Sequence, residues 1–299
     1  MGICDGRVVI VTGAARGLGR AHALAFAAEG AAVIVNDLGV ERDVSGGTSE
    51  AAAEVVAEIE AAGGQAVANA ADVADWDQAA AMVRQAIETF GGLDTVVLNA
   101  GFLRDRMLAG MSEDEWDSVT RVHLKGHFAP ARHAIEHWRE QAKQGTPVDA
   151  RIVNTSSGAG LNGSVGQGNY AAAKAGIALL TVQQAAEWGR YGVMANAVAP
   201  DARTRMTAGV FYDAEAPSGW DPKGPENVSP LVVWLGSGAC DVTGRVFEVS
   251  GGQLNVCDGW QPGPVETVGE RMMSAAEAGE LAHRSIAGAP VPASVYGAS

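Results

Sequence analysis

Apolar residues along this chain fall into two rhythms. Short β-branched runs stand at 7–12 (RVVIVT), 32–36 (AVIVN), 66–70, 94–98 (DTVVL), 151–157, 193–198 and 245–249. Continuous apolar runs of this length predict strands buried on both faces. Between them lie alanine-rich segments with helical spacing, at 20–29, 50–62, 75–90, 112–141, 169–191 and 225–235. In 75–90, for example, Ala79, Met82, Val83, Ala86 and Phe90 recur on one side. Ser112 with Glu115 predicts a capping box, and Thr48 or Ser49 is placed to cap the segment from 50. Strands alternating with helices in this order predict an α/β fold, a doubly wound seven-stranded parallel sheet with helices on both faces. Residues 1–255 read as one domain, with 201–228 as a substrate loop. The Pro/Gly-rich remainder, 256–299, reads as an extension with one helix near 266–285, packing on the core or on a partner subunit.

The first strand runs directly into Gly13-Ala14-Ala15-Arg16-Gly17-Leu18-Gly19 and then into a helix. Such a loop brings backbone N–H groups up to a pyrophosphate at the positive end of a helix. Gly13, Arg16, Gly17, Leu18 and Gly19 are therefore candidate nucleotide-binding residues. Asp37 ends the second strand, where a carboxylate accepts both ribose hydroxyls and repels a 2′-phosphate. The nearest base is Arg42, so NAD is favoured over NADP. Asp72 and Val73 follow the third strand, near where an adenine would lie. Asn99-Ala100-Gly101 follows the fourth, and its small residues let backbone pass close to a cofactor.

The segment 158–168 reads as a glycine-rich loop, and a helix starts after it. Tyr170 and Lys174 are four residues apart and share one helix face. A cation beside a phenol favours the phenolate, which suits a general acid/base. Ser157, thirteen residues before the tyrosine, ends a strand, where its hydroxyl can donate to a carbonyl or alkoxide oxygen. Ser156 is the alternative serine. Taken alone, the pair also matches an ordinary exposed helix face.

Composition narrows the classes. The net charge of −14 argues against a nucleic-acid surface and against an anionic membrane. Three scattered cysteines exclude a disulfide framework and fit a reducing compartment. With no apolar run long enough for a signal or a span, the cytoplasm is the expected location. His123, His127, His133 and His137 share one helical stretch, but no H-E-x-x-H occurs, and no metal site is expected.

Thr12-Gly13 with Gly17 and Gly19, Asp72-Val73, Asn99-Ala100-Gly101, Ser157, and Tyr170 with Lys174 together resemble the short-chain dehydrogenase/reductase family over about residues 5–255. That resemblance implies a Rossmann-type fold, an NAD cofactor and oxidoreduction of a secondary alcohol. Runs at 36–39, 103–106, 121–124, 166–170 and 230–235 are more narrowly similar to the (3R)-hydroxyacyl-CoA dehydrogenase module of peroxisomal multifunctional enzyme type 2, also a 17β-hydroxysteroid dehydrogenase, and to its bacterial stand-alone relatives. The implied substrate is a 3-hydroxyacyl-CoA or a hydroxysteroid, with a 3-oxoacyl-carrier-protein reductase or a non-catalytic nucleotide-binding regulator as alternatives. Arg104, Arg106, Arg203 and Arg205 are candidates for a basic mouth toward CoA or a carrier protein. The resemblance gives Ser157, Tyr170 and Lys174 the catalytic roles. It places His123 where the family usually has asparagine, as fourth member of a proton relay. It puts Pro200 beside the nicotinamide, followed by Asp201 where glycine is usual. Thr204 and Thr207 both stand near the carboxamide, and the resemblance does not choose between them. A homodimer or homotetramer through the fourth and fifth helices is implied.

Overall fold

The computed structural model describes residues 2–39, 50–204, 212, 217–257, 259–291 and 293–297. The strands are β1 (Val8–Thr12), β2 (Ala32–Asn36), β3 (Gln65–Asn69), β4 (Thr95–Leu98), β5 (Ala150–Thr155), β6 (Val193–Pro200), β7 (Val246–Ser250) and β8 (Gln253–Cys257). They form one sheet in the order β3-β2-β1-β4-β5-β6-β7-β8. The first seven are parallel, and each corresponds to a run read from the sequence. The order reverses between β1 and β4, which opens a crevice at the carboxyl ends of the strands.

Nine α-helices are described: α1 (Gly17–Ala28), α2 (Glu50–Ala61), α3 (Trp76–Phe90), α4 (Glu113–Thr120), α5 (Gly126–Lys143), α6 (Gly158–Asn162), α7 (Gly168–Trp188), α8 (Ser229–Gly236) and α9 (Ala275–Gly288). Alternate strand positions sort them into two layers, because successive side chains point to opposite faces. Val9, Val11, Val33, Val35, Val97, Val153 and Val198 pack with Phe26 of α1, Val55 and Ile59 of α2, and Leu235 of α8. Val8, Ile10, Ile34, Val96, Leu98 and Ile152 pack with Met82 of α3, Trp138 of α5 and Trp188 of α7. Among the described residues no helix is long and apolar enough to cross a membrane.

The structure departs from the sequence reading at four places. The sheet gains an eighth strand: Gly251-Gly252 forms a two-residue turn with Gly251 at φ +55°, and β8 returns antiparallel along β7. The stretch expected as one long helix is interrupted by a π-helical turn, Arg121–Lys125, between α4 and α5. The glycine-rich loop after β5 contains the short helix α6, whose first N–H groups Ser157 caps by accepting from the Ala159 amide. The helix of the extension runs over Ala275–Gly288, later than expected. Its start is set by Ser274, which forms a capping box with Glu277. The Ser112–Glu115 box is formed as read. The cap expected at Thr48 or Ser49 lies outside the described residues.

Candidate active site

The crevice is built from the glycine loop upward. Thr12 Oγ1 accepts from the amides of Asn99 (2.9 Å) and Ala100 (3.1 Å), which ties the end of β4 to that of β1. Asn99 Nδ2 donates back to the carbonyls of Thr12 (3.0 Å) and Gly13 (3.3 Å). Gly13 sits at φ +64°, and a Cβ there would lie 2.8 Å from Ala100 Cα. A Cβ on Gly19 would lie 2.1 Å from the Gly13 carbonyl oxygen. Only glycine fits either position. Asp37 closes the far side, accepting from the Ala15 amide (3.0 Å) and the Gly39 amide (2.8 Å). A turn without side chains, the N-terminus of α1 and a carboxylate ending β2 together fit a dinucleotide.

The other expected residues that are described lie at or beyond the carboxyl ends of the strands. Thr204 lies with its Cβ and methyl 3.7 Å from where a Gly17 side chain would start, so it faces the glycine loop. Thr207, Arg42 and Arg205 lie outside the described residues. Asp72 accepts from Arg121 (2.6 Å) and from the Ala74 amide (2.8 Å), so its carboxylate is held by the π-helical turn as well as by its own loop. Val73 is buried, and its methyl would lie 2.7 Å from a Cβ on Gly126 at the start of α5. Pro200 ends β6.

Beyond the cradle stand Ser157, Tyr170, Lys174 and His123. Lys174 is buried on α7, and one of its three N–H donors goes to the Thr155 carbonyl at 2.6 Å. Its Nζ lies 5.5 Å from the centre of the Tyr170 ring. The Ser156 hydroxyl donates to the Lys174 backbone carbonyl (2.9 Å), so this serine is spent inside the fold. Ser157 is the one beside the phenol. Gly160 lets α6 touch α7, since a Cβ there would come within 2.6 Å of the Lys174 side chain.

The electrostatics differ from the simple cation-beside-phenol picture. Burial pushes the Tyr170 phenol above its ordinary value; the Ser157 hydrogen bond draws it back, and Asp105 adds to the rise. Burial also brings Lys174 down to about 7. Desolvation disfavours both charged forms. His123 is buried, and its ring meets Tyr170 edge to face with centres 5.1 Å apart. Burial first, then the Lys174 charge, lowers it to about 3, so the imidazole is neutral at physiological pH. Its Nε2 lies 2.7 Å from the Phe102 carbonyl, and its Nδ1 has no partner among the described residues. Gly101 makes room for it, because a Cβ would fall 2.1 Å from His123 Cε1.

Sequence reasoning did not single out Asn169. It is fully buried, its Nδ2 donating to the carbonyls of Arg104 (3.1 Å) and Glu115 (2.8 Å), its Oδ1 accepting from the Tyr170 amide (2.7 Å). The available signal was an amide side chain immediately before the tyrosine, at the first turn of a helix. On the substrate side, Asp201 pairs with Lys223 and accepts from the hydroxyls of Tyr212 and Ser250, the last at 3.0 Å. Of the arginines proposed for a basic mouth, Arg106 pairs with Glu115 at 2.7 Å and Arg203 with Asp221 at 3.1 Å. Arg104 lies 5.9 Å over the Phe102 ring. Among the described residues no cluster of metal-ligating side chains occurs.

A doubly wound sheet with a nucleotide cradle at its switch point, and a tyrosine, lysine and serine gathered beside it, defines an oxidoreductase acting on CH–OH groups. The chain belongs to the short-chain dehydrogenase family, which residues 7–214 match. It is 50% identical over 258 residues to hydroxyacyl-CoA dehydrogenase ChsB1 of Mycobacterium tuberculosis, an alignment covering 84% of this chain and 80% of that one. It is 46% identical to mouse peroxisomal multifunctional enzyme type 2, with 84% of this chain aligned to 32% of that larger protein. A crystal structure of a short chain dehydrogenase from Mycobacterium avium superposes with a TM-score of 0.90 at 61% identity, covering 99% of this chain and all of that one.

Proposed function

We propose that the protein is an NAD(H)-dependent oxidoreductase interconverting a secondary alcohol and a ketone on a bulky lipid-derived substrate, a 3-hydroxyacyl-CoA or a hydroxysteroid. The observation that carries this reading is the half-buried Tyr170 phenol, flanked by Ser157, Lys174 and His123 at the mouth of the glycine cradle. The name of the mycobacterial relative, a hydroxyacyl-CoA dehydrogenase, favours the acyl-CoA among the substrates. Asp37 favours NAD, since a carboxylate facing the loop repels a 2′-phosphate.

In this reading a bound nicotinamide dinucleotide supplies the hydride acceptor or donor. The glycine loop from Gly13 to Gly19, Asp37, Asp72-Val73, Asn99–Gly101, Pro200 and Thr204 would hold it, and Lys174 would donate to its ribose hydroxyls. Ser157 donates a hydrogen bond to the substrate oxygen and fixes its position. Tyr170 Oη takes the carbinol proton during oxidation and returns it during reduction. Neutral His123, edge-on to the Tyr170 ring, relays that proton onward in place of the family's usual asparagine. Residues 201–228 form the substrate loop of a single catalytic domain, 1–255. The reading keeps the cytoplasm as location, which three cysteines scattered far apart in the sequence fit.

A steady-state panel tests it: NAD+ and NADP+ with (3R)- and (3S)-hydroxyacyl-CoAs of several lengths and with steroid alcohols. Turnover with NAD+ is expected, and Tyr170→Phe should lower it about 10³-fold with NADH binding retained. Activity only with NADP+ would overturn the Asp37 argument. Turnover of carrier-protein thioesters alone would favour the reductase reading; a cyanobacterial 3-oxoacyl-carrier-protein reductase is 38% identical. NADH binding with no turnover of any alcohol would favour a regulator.

A further inference from the structure

The last described residues of the chain, 293–297, return to the site. Tyr296 forms a parallel bridge with Ser164, in the loop between α6 and α7. The Val165 amide donates to the Tyr296 carbonyl (2.9 Å), and the Tyr296 amide donates to the Gly163 carbonyl (3.2 Å). On its other side the same loop holds Arg106, whose amide donates to Gly166 (2.7 Å). Three chain segments thus lie side by side as one lip, directly before Asn169 and Tyr170.

Two glycines make the seat for the tail. A Cβ on Gly163 would lie 3.3 Å from a Val295 methyl. A Cβ on Gly158 would lie 3.0 Å from Tyr296 Oη and 3.1 Å from its ring. Gly158 follows Ser157, the serine whose hydroxyl touches the Tyr170 phenol. The Tyr296 side chain therefore stands one residue from the reacting groups, while the residue remains 48% exposed. A ring anchored through backbone hydrogen bonds and open to solvent on its other side presents a rigid apolar surface beside the site.

We propose that Tyr296 is a specificity-determining residue: its ring is the outer wall of the substrate cleft and limits the bulk of the group borne by the reacting carbon. This rests on the site being the oxidoreductase centre proposed above. Removing the ring widens the cleft without touching the glycine cradle. The kcat/KM ratio for a long against a short hydroxyacyl-CoA should then move about tenfold toward the long substrate in Tyr296→Ala, with NADH affinity unchanged. Gly158→Ala pushes the ring outward from the opposite side and should move the ratio the same way. If Tyr296→Ala does not fold, the ratio in Gly158→Ala decides alone. Tyr296→Pro removes the N–H that anchors the tail, and the Val165 amide should then exchange hydrogen about tenfold faster. An unchanged ratio in Tyr296→Ala overturns the wall whatever the exchange data show. Unchanged Val165 exchange in Tyr296→Pro overturns the docking. A wild-type protein inactive on thioesters but active on steroid alcohols defeats the acyl-CoA reading only, and the same ratio is then measured on a large and a small steroid. If the wild type turns over no alcohol at all, the oxidoreductase reading falls and the wall falls with it.

Discussion

Gly101 and His123 are a pair fixed by lack of space. A methyl group on Gly101 would collide with the imidazole at 2.1 Å, and the ring has nowhere else to go because it is wedged between Phe102 and Tyr170. Gly101→Ala should therefore cost about 1–3 kcal/mol in urea unfolding and lower kcat. His123→Asn tests the relay more gently. It should retain measurable turnover, whereas His123→Leu should not; equal activity of the two would remove His123 from the proton path. At this scale the sequence was informative where spacing is local. Tyr170 and Lys174 could be paired because i and i+4 share a helix face, and the positions of Ser157 and the glycines follow from strand ends. The direction of the Tyr170 shift was not legible, since burial, which sets it, comes from elements far away in the chain.

Elements show the same division between local and distant causes. All seven parallel strands could be read, because runs such as VVIVT and AVIVN have no other use in a covered sheet. Helix α6 could not, because GAGLN has poor helix propensity; it forms because Ser157 caps it and Gly160 lets it rest on Lys174. The β7–β8 hairpin carried a readable signal in Gly251-Gly252, which the glycine-rich context masked. The Asp201 cluster was hidden because Lys223 and Ser250 are remote in sequence. Asn169 shows how elements are locked together at the site: it joins the start of α7 to the 104 loop and to α4. Asn169→Ala leaves the part-buried carbonyls of Arg104 and Glu115 without this donor. It should cost about 1–3 kcal/mol of stability and reduce kcat/KM about 10²-fold through misplacement of Tyr170, read by denaturation and steady-state kinetics. Normal kcat/KM in a folded variant would make the role purely structural.

Across the whole molecule, several histidines are held neutral by burial. His22 and His123 are brought down to about 3, and His127 well below its ordinary value of 6.5. The unfolded chain binds those protons near pH 6.5 and the folded chain does not, so their contribution to stability is complete above 6.5 and lost as pH falls toward 3. His22 and His123 each contribute about 1.4 kcal/mol per pH unit in that window. The urea midpoint should fall steadily from pH 6.5 to 5, less steeply in a folded His22→Asn variant; a flat profile would contradict the burial. Solution mass bears on the expected assembly. Trp116 on α4, Leu124 in the π-helical turn, Phe128 on α5 and Leu179 on α7 are exposed apolar residues on the helices expected to pair subunits. Sedimentation should show a dimer or tetramer, and Phe128→Asp with Leu179→Asp should yield a smaller species.

The seat of the 293–297 segment also decides how this protein can be handled. The first residues lie at the amino ends of the strands, where the Cys4 amide donates to the Glu29 carbonyl, while Gly297 rests on Val165 beside the reacting groups. A purification tag, surface linker or fusion partner carried by the chain beyond Gly297 leaves the described residues beside the site. One carried ahead of Gly2 starts from the amino ends of the strands, and immobilisation through that side leaves the cleft open.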